Sequence, residues 1–243
     1  MKQKLPYATM HHLASTLCER FNPYCTRIEI AGSIRRKKPE CGDIELVAVP
    51  TPELYHRLDE LLAAGTIQHV TKKRWGEKLR SFLITTVRSG QAVQVDLFLQ
   101  PSPATWGVNF MIRTGSGDFS HRMVTSRSAG GWMPDCYRVK DARVWHGERA
   151  LATPEEGDVF RLWGMDLVPP ELRTEHYKPV RMEPPPVEQL VSGDVVTQPV
   201  PLLDWERVVR ESAAWPTPSY GGREGAQRAA AQAIAESVGR NGK

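Results

Sequence analysis

Asp43 and Glu45 stand two apart in the run Asp43-Ile44-Glu45-Leu46-Val47-Ala48-Val49, which reads as a β-strand. Side chains two apart on a strand leave the same face, so both carboxylates share one side while Ile44, Leu46 and Ala48 turn towards a core. Like charges held side by side repel unless a cation lies between them, and two divalent ions about 3.5–4 Å apart would supply that charge. Asp96 repeats the pattern: Val93, Val95, Leu97 and Leu99 point one way, Gln94, Asp96 and Phe98 the other. If the two strands are neighbours, three carboxylates converge. Such a trio of oxygen ligands, with room left for water and phosphate oxygens, suits magnesium. An acid pair on a strand is by itself more often a solvated edge, so the pattern needs support from elsewhere in the chain.

That support lies just upstream. Gly32-Ser33-Ile34-Arg35-Arg36 follows a strand-like run, and Gly42 immediately precedes Asp43. A glycine lets backbone N–H groups approach an anion, a serine adds a hydroxyl, and an arginine binds phosphate oxygens two at a time. Phosphate binders beside metal ligands are what phosphoryl transfer requires, because positioning and charge neutralisation supply most of its catalysis.

The elements that must carry these residues are legible in the periodicity. Tyr7, Met10, Leu13, Ala14, Leu17 and Phe21 recur at helical spacing, and residues 27–31 alternate as a strand. Thr51-Pro52-Glu53 reads as an N-cap with proline at the first helical position, opening a helix with Leu54, Leu58, Leu61 and Leu62 on one face. Strands are expected over residues 81–86 and 92–99 with Ser89-Gly90 turning between them. Residues 106–113 and 119–128 look helical on either side of Thr114-Gly115-Ser116-Gly117. A hairpin is expected around Lys140-Asp141-Ala142, and Thr153-Pro154-Glu155-Glu156 reads as a capping box for a short helix stopping at Gly164. From about residue 183 the chain turns rich in Pro, Ala, Ser, Gly and Gln, with two short helical patches at 202–211 and 223–238. The expected class is α+β, in three parts: a mixed-sheet domain over 1–101, a small α+β lobe over 102–182, and a low-complexity tail over 183–243.

Composition narrows the field. The chain has 243 residues, 40% hydrophobic and 25% charged, which is ordinary globular usage. A formal charge of +4 permits a polyanionic partner without demanding one. No apolar run approaches the roughly 18 residues of a membrane span, and the start lacks the apolar stretch of a signal peptide. Cys18, Cys25, Cys41 and Cys136 have no paired zinc-type spacing, so free thiols in a reducing cytoplasm are expected. The seven tryptophans are more readily core than stacking platforms for bases.

Gly32-Ser33 with Arg36, then Gly42-Asp43-Ile44-Glu45, resembles the nucleotidyltransferase signature of the family-X, polymerase β-like DNA polymerases. Val95-Asp96-Leu97 is similar to that family's third carboxylate strand. Trp106-Gly107-Val108 with Thr114-Gly115-Ser116 and Phe119 resembles its segment against the incoming nucleotide, and Val159-Phe160, Gly164 and residues 168–173 resemble the end of its nucleotide-binding lobe. The match covers roughly residues 5–180.

The resemblance implies a nucleotidyltransferase palm at 1–101, a nucleotide-binding, thumb-like lobe at 102–182, and a DNA polymerase of gap-filling or repair type without a lyase domain. Asp43, Glu45 and Asp96 would hold two magnesium ions, with Asp96 nearest the primer 3′-OH. Gly32, Ser33, Arg36 and Gly42 would hold the triphosphate, and Gly115 with Ser116 would lie against the deoxyribose. The implied partners are nucleoside triphosphates and primer–template or gapped DNA, the implied state a monomer, and the location the cytoplasm of a bacterium or phage-infected host. Lys72-Lys73-Arg74, Lys78, Arg80, Arg122 and Arg127 are candidates for gripping the template.

Where the family carries two aromatics before Thr-Gly-Ser, this chain has Ile112-Arg113, which leaves ribonucleotide use open; Phe110 is the ring at hand to replace them. Glu45 stands where Asp is commoner, and its longer arm favours manganese as an alternative ion. Two other readings share part of this pattern. A transferase acting on an RNA end, a small molecule or a protein would have the same metal site, and a catalytically silent module could bind DNA ends.

Overall fold

The structure is a computed structural model and describes residues 4–86 and 90–179. The expected tail at 183–243, with its two helical patches, lies outside the described residues, as does Ser89 of the anticipated turn.

In chain order the elements are β1 (Leu5–Pro6), α1 (Tyr7–Phe21), β2 (Cys25–Ile30), α2 (Gly32–Arg35), β3 (Glu40–Cys41), β4 (Ile44–Pro50), α3 (Pro52–Ala63) and β5 (Gln68–His69). There follow β6 (Leu79–Thr85), β7 (Ala92–Leu99), α4 (Trp106–Thr114), α5 (Gly117–Val124), β8 (Tyr137–Lys140), β9 (Arg143–His146), β10 (Arg149–Leu151) and α6 (Glu156–Leu162). Single 3-10 turns occupy Asn22–Tyr24, Lys72–Arg74, Pro103–Thr105 and Pro170–Leu172.

The main sheet runs β2-β4-β7-β6-β5. Only β4 and β7 pair in parallel; the other neighbours are antiparallel, so the sheet is mixed. Alternation decides its two faces. Ile44, Leu46 and Ala48 of β4 and Val93, Val95, Leu97 and Leu99 of β7 join Met10 and Ala14 of α1 and Leu54 and Leu58 of α3 in one buried cluster. Val47, Val49 and Phe98 point the other way and pack with Ala31, Trp106 and Phe110. Each side chain of this size is worth roughly 1.5–3 kcal/mol on full burial, which locks the register of both strands.

Helix α4 is buried on two sides. Trp106 and Phe110 lie four apart and face the sheet, while Val108 and Met111 enter a second cluster with Phe119, Met123, Phe160 and Trp163. Beside it β8, β9 and β10 form a small antiparallel sheet. Gly107 permits this packing: a Cβ there would run into the backbone carbonyls of Glu155 and Thr153, and Gly107 N donates to Thr153 O at 2.7 Å.

Several local expectations shift by a few residues. The helix expected at 119–128 is Gly117–Val124, because Ser116 caps it early and residues 126–131 close into a turn through Gly131 N to Ser126 O at 2.8 Å. The capping box belongs to Glu155 and Asp158 rather than to Thr153 and Glu156. Thr153 already spends its backbone on Ala104 and Gly107, while Glu155 N donates to Asp158 Oδ2 at 2.8 Å. Thr51 does precede α3, but its hydroxyl donates to Tyr24 O at 3.1 Å instead of capping the helix. Asp43 lies in the bend before β4, not on the strand itself.

Candidate active site

β2 delivers the chain to Ala31, whose N–H donates to Glu45 O at 2.8 Å and keeps the following turn against β4. Gly32 then takes φ +63°, the left-handed region that glycine enters without penalty. A Cβ at this position would overlap Glu45 Oε2 and come within 2.8 Å of its Cδ. The glycine therefore lets the Glu45 carboxyl lie against the turn. One strand over, Asp96 is the register partner of Glu45 in the parallel β4–β7 pair, so both acids occupy the same face at the same level. Asp43 sits two residues before Glu45 in the half-buried bend.

Glu45 senses the other two acids. Glu45 is pushed up from 4.5 to about 7, first by burial and then by the Asp43 charge, with Asp96 adding to both; Arg36 and Arg113 pull the other way without cancelling the effect. Glu45 is thus a carboxylate short of positive charge. Oxygen donors in an under-neutralised acidic group are the right chemistry for a hard divalent cation. Yet among the described residues no three of His, Cys, Asp or Glu come together closely enough to hold a metal ion as they stand. Both oxygens of Asp96 are engaged: Gln94 Nε2 donates to its Oδ1 at 2.8 Å and Arg74 Nη2 to its Oδ2 at 2.9 Å.

The basic residues of the Gly-Ser turn reach across to the second cluster. Arg35 donates to Thr114 Oγ1 at 2.6 Å and, through both terminal nitrogens, to Glu156 at 2.8 and 2.7 Å. Arg173, only 1% exposed, binds the other side of Glu156 at 2.6 and 3.2 Å. Burial alone would raise the Glu156 carboxyl, but the hydrogen bonds from Arg35 and Arg173 hold it below its ordinary value. Arg36 Nη1 donates to Thr114 O at 2.7 Å and Gly115 O at 2.8 Å, while its Nε is buried without a hydrogen-bond partner. These bonds place Thr114-Gly115-Ser116 beside the acids. Ser116 meanwhile accepts from Phe119 N at 3.3 Å as the cap of α5, and Gly115 has no room for a Cβ because Phe119 and Ser120 press on it. Ser33 is half-buried on the turn, and Gly42 has open space except for the Lys4 stem.

Arg113 stacks its guanidinium over Phe98 at 3.9 Å, with its Nε buried and unpartnered. Burial lowers its proton affinity, and the nearby Glu45 and Asp96 charges oppose that loss. This arginine and Phe98 bring a cation close to the acids where an aromatic pair was missing from the sequence.

Sequence reasoning set Gln94 on the face of Asp96 and took Arg74 as a template-grip candidate, but paired neither with Asp96, and it missed the Arg35–Glu156–Arg173 group. Only folding brings these arginines near their acids, so no local signal could have paired them. The template-grip candidates divide. Arg80 is 9% exposed, bonded to Asp59 at 2.6 Å and layered over Trp75, and Arg127 donates to Trp163 O at 2.7 Å; both are structural. Lys72, Lys73, Lys78 and Arg122 are exposed. Of the five described tryptophans, Trp106, Trp132 and Trp163 are core. No described helix is long and apolar enough to cross a membrane.

No protein-family model matches the chain, and no curated protein does. Among solved structures, the crystal structure of Leishmania infantum polymerase beta in a ternary P/T complex is similar at a TM-score of 0.57, with 18% identity over 70% of this chain and 77% of that one. The chain therefore has a polymerase β-like fold, a mixed sheet with a smaller α+β lobe.

Proposed function

We propose that on this fold the chain works as a nucleotidyltransferase that adds dNMP units to a DNA primer 3′-OH, in the manner of a gap-filling or repair polymerase. The observation that carries the reading is the side-by-side placement of Glu45 and Asp96 on neighbouring parallel strands, with Asp43 at the strand entrance and the Gly32-Ser33 turn against them. In this reaction the 3′-oxygen attacks the α-phosphorus of a nucleoside triphosphate, and pyrophosphate leaves. Charge builds on the phosphoryl oxygens, and the attacking hydroxyl must lose a proton.

Asp43, Glu45 and Asp96 would hold two magnesium or manganese ions, which neutralise that charge and make the hydroxyl more acidic. Asp96, at the inner end of the group, is suited to accept the proton once one of its oxygens is free. Ser33 offers its hydroxyl to the triphosphate. Arg36 offers the edge of its guanidinium not tied to Thr114 and Gly115. Gly115 and Ser116, drawn in by Arg36, form the wall against which the sugar would rest. Division into a palm over 1–101 and a nucleotide-binding lobe over 102–182 suits this arrangement, since Arg35 and Arg36 reach from one to the other.

Primer extension on gapped, nicked and single-stranded DNA, with dNTPs compared with NTPs and magnesium with manganese, tests the proposal. Incorporation abolished by Asp43→Ala is expected. Label on RNA or protein and never on DNA would refute it. A second reading, a silent module that binds DNA ends, is favoured by one fact: Asp96 is tied by Arg74 and Gln94. Tight DNA-end binding with no incorporation under any condition would select it.

A further inference from the structure

We propose that Arg74 is a positioning residue that exchanges partners: it holds Asp96 while no nucleic acid is bound, and hands its guanidinium to a phosphodiester of the bound strand, which frees Asp96 to join Asp43 and Glu45. The inference rests on the nucleotidyltransferase reading above.

The two donors on Asp96 differ in kind. Gln94 is neutral, buried and on the same strand, so it orients the carboxylate without competing with a cation. Arg74 is a full charge on Oδ2, and a metal ion needing that oxygen must displace it. The pair also runs from the surface to the floor of the site: the Arg74 side chain is 39% exposed and that of Asp96 is 9%. Arg74 closes the 3-10 turn Lys72–Arg74, whose other residues are exposed lysines, so the cation that shuts the site belongs to a basic surface segment.

A guanidinium fits a phosphate as well as a carboxylate, and a half-exposed ion pair is weak enough to be exchanged. A nucleic-acid strand that presents a phosphate to Arg74 binds only the released form tightly, and this difference in affinity is what shifts the population. Arg80 and Arg127 do not serve in this way, since Arg80 is buried and bonded to Asp59, and Arg127 is tied to Trp163 O, away from Asp96. Arg113 stays on Phe98 beside the acids and is not tied to Asp96 by a hydrogen bond.

Manganese alone is titrated into the nucleic-acid-free protein, with free ion read by electron paramagnetic resonance. Arg74→Ala is expected to bind manganese about fivefold more tightly than the unaltered chain. Lys73→Ala, the same charge change one residue away, should leave the affinity unchanged. In an Asp96→Asn background the Arg74→Ala gain should vanish. A gain below roughly twofold, an equal gain in Lys73→Ala, or a gain that survives Asp96→Asn would overturn the exchange. For the other half of the swap, the salt dependence of binding to a primer–template ending in a 3′-dideoxynucleotide should fall by about one in slope for Arg74→Ala. An unchanged slope would equally overturn it. Neither measurement needs turnover. A manganese gain without primer extension anywhere would sink the polymerase reading and leave the exchange standing; extension without a gain would do the reverse.

Discussion

Glutamine at position 45 should stabilise the metal-free protein, and more so as the pH rises. Glu45 titrates at about 7 in the fold, raised from 4.5 by burial and by Asp43 and Asp96. Below pH 4.5 the carboxyl is protonated in both folded and unfolded chains and costs nothing. Between 4.5 and 7 unfolding releases its proton, so rising pH favours the unfolded chain; above 7 the penalty is complete. That interval corresponds to about 3 kcal/mol, an order-of-magnitude figure. For a fold of this size it amounts to roughly 6–12 °C in melting temperature. Glutamine has nearly the same shape and no charge to bury. The assay is thermal melting followed by circular dichroism in a chelating buffer at half-unit steps from pH 5 to 8. The variant and the unaltered protein should melt together near pH 5 and separate by pH 8, with Glu45→Gln higher. The depressed Glu156 carboxyl changes stability with the opposite sign, but it is common to both proteins and cancels in the difference. Parallel profiles across the range would refute the claim that burial, with Asp43 and Asp96, raises the Glu45 carboxyl.

Two further substitutions test the frame of the site. Glu156→Ala leaves Arg173 buried and Arg35 without its bidentate partner, and a loss of about 3–5 kcal/mol in urea unfolding is expected. A loss under about 1 kcal/mol would mean that the two arginines find other partners. Gly32→Ala forces a side chain into the left-handed region and into the Glu45 carboxyl; nucleotide incorporation should drop about a hundredfold, beyond any fall in stability. Unchanged incorporation would show that the turn is not part of the site.

The sequence alone determined which residues could share a face. Alternation over residues 44–49 and 93–99 assigned the side chains to the right two faces, because a strand side chain has only two directions; that Val47, Val49 and Phe98 on the acid-bearing face are buried too was decided by the packing of α4. The glycine before Ser33 and the helix face of α1 were legible for similar local reasons. Short caps were less so: Thr153 has the right residue type, but its backbone was claimed by α4, a competition invisible in a single segment.

Only the tertiary structure decided that Glu45 and Asp96 stand side by side, since parallel pairing of β4 with β7 depends on the whole connection between them. It also decided which cations are structural and which face the site. Arg80, Arg74 and Arg35 are chemically alike in the chain, yet one lies under Trp75, one closes on Asp96, and one is clasped by Glu156. A long, flexible charged side chain ends wherever an acid of opposite sign is left by the packing of other elements, and that partner is set by the fold rather than by neighbours in sequence.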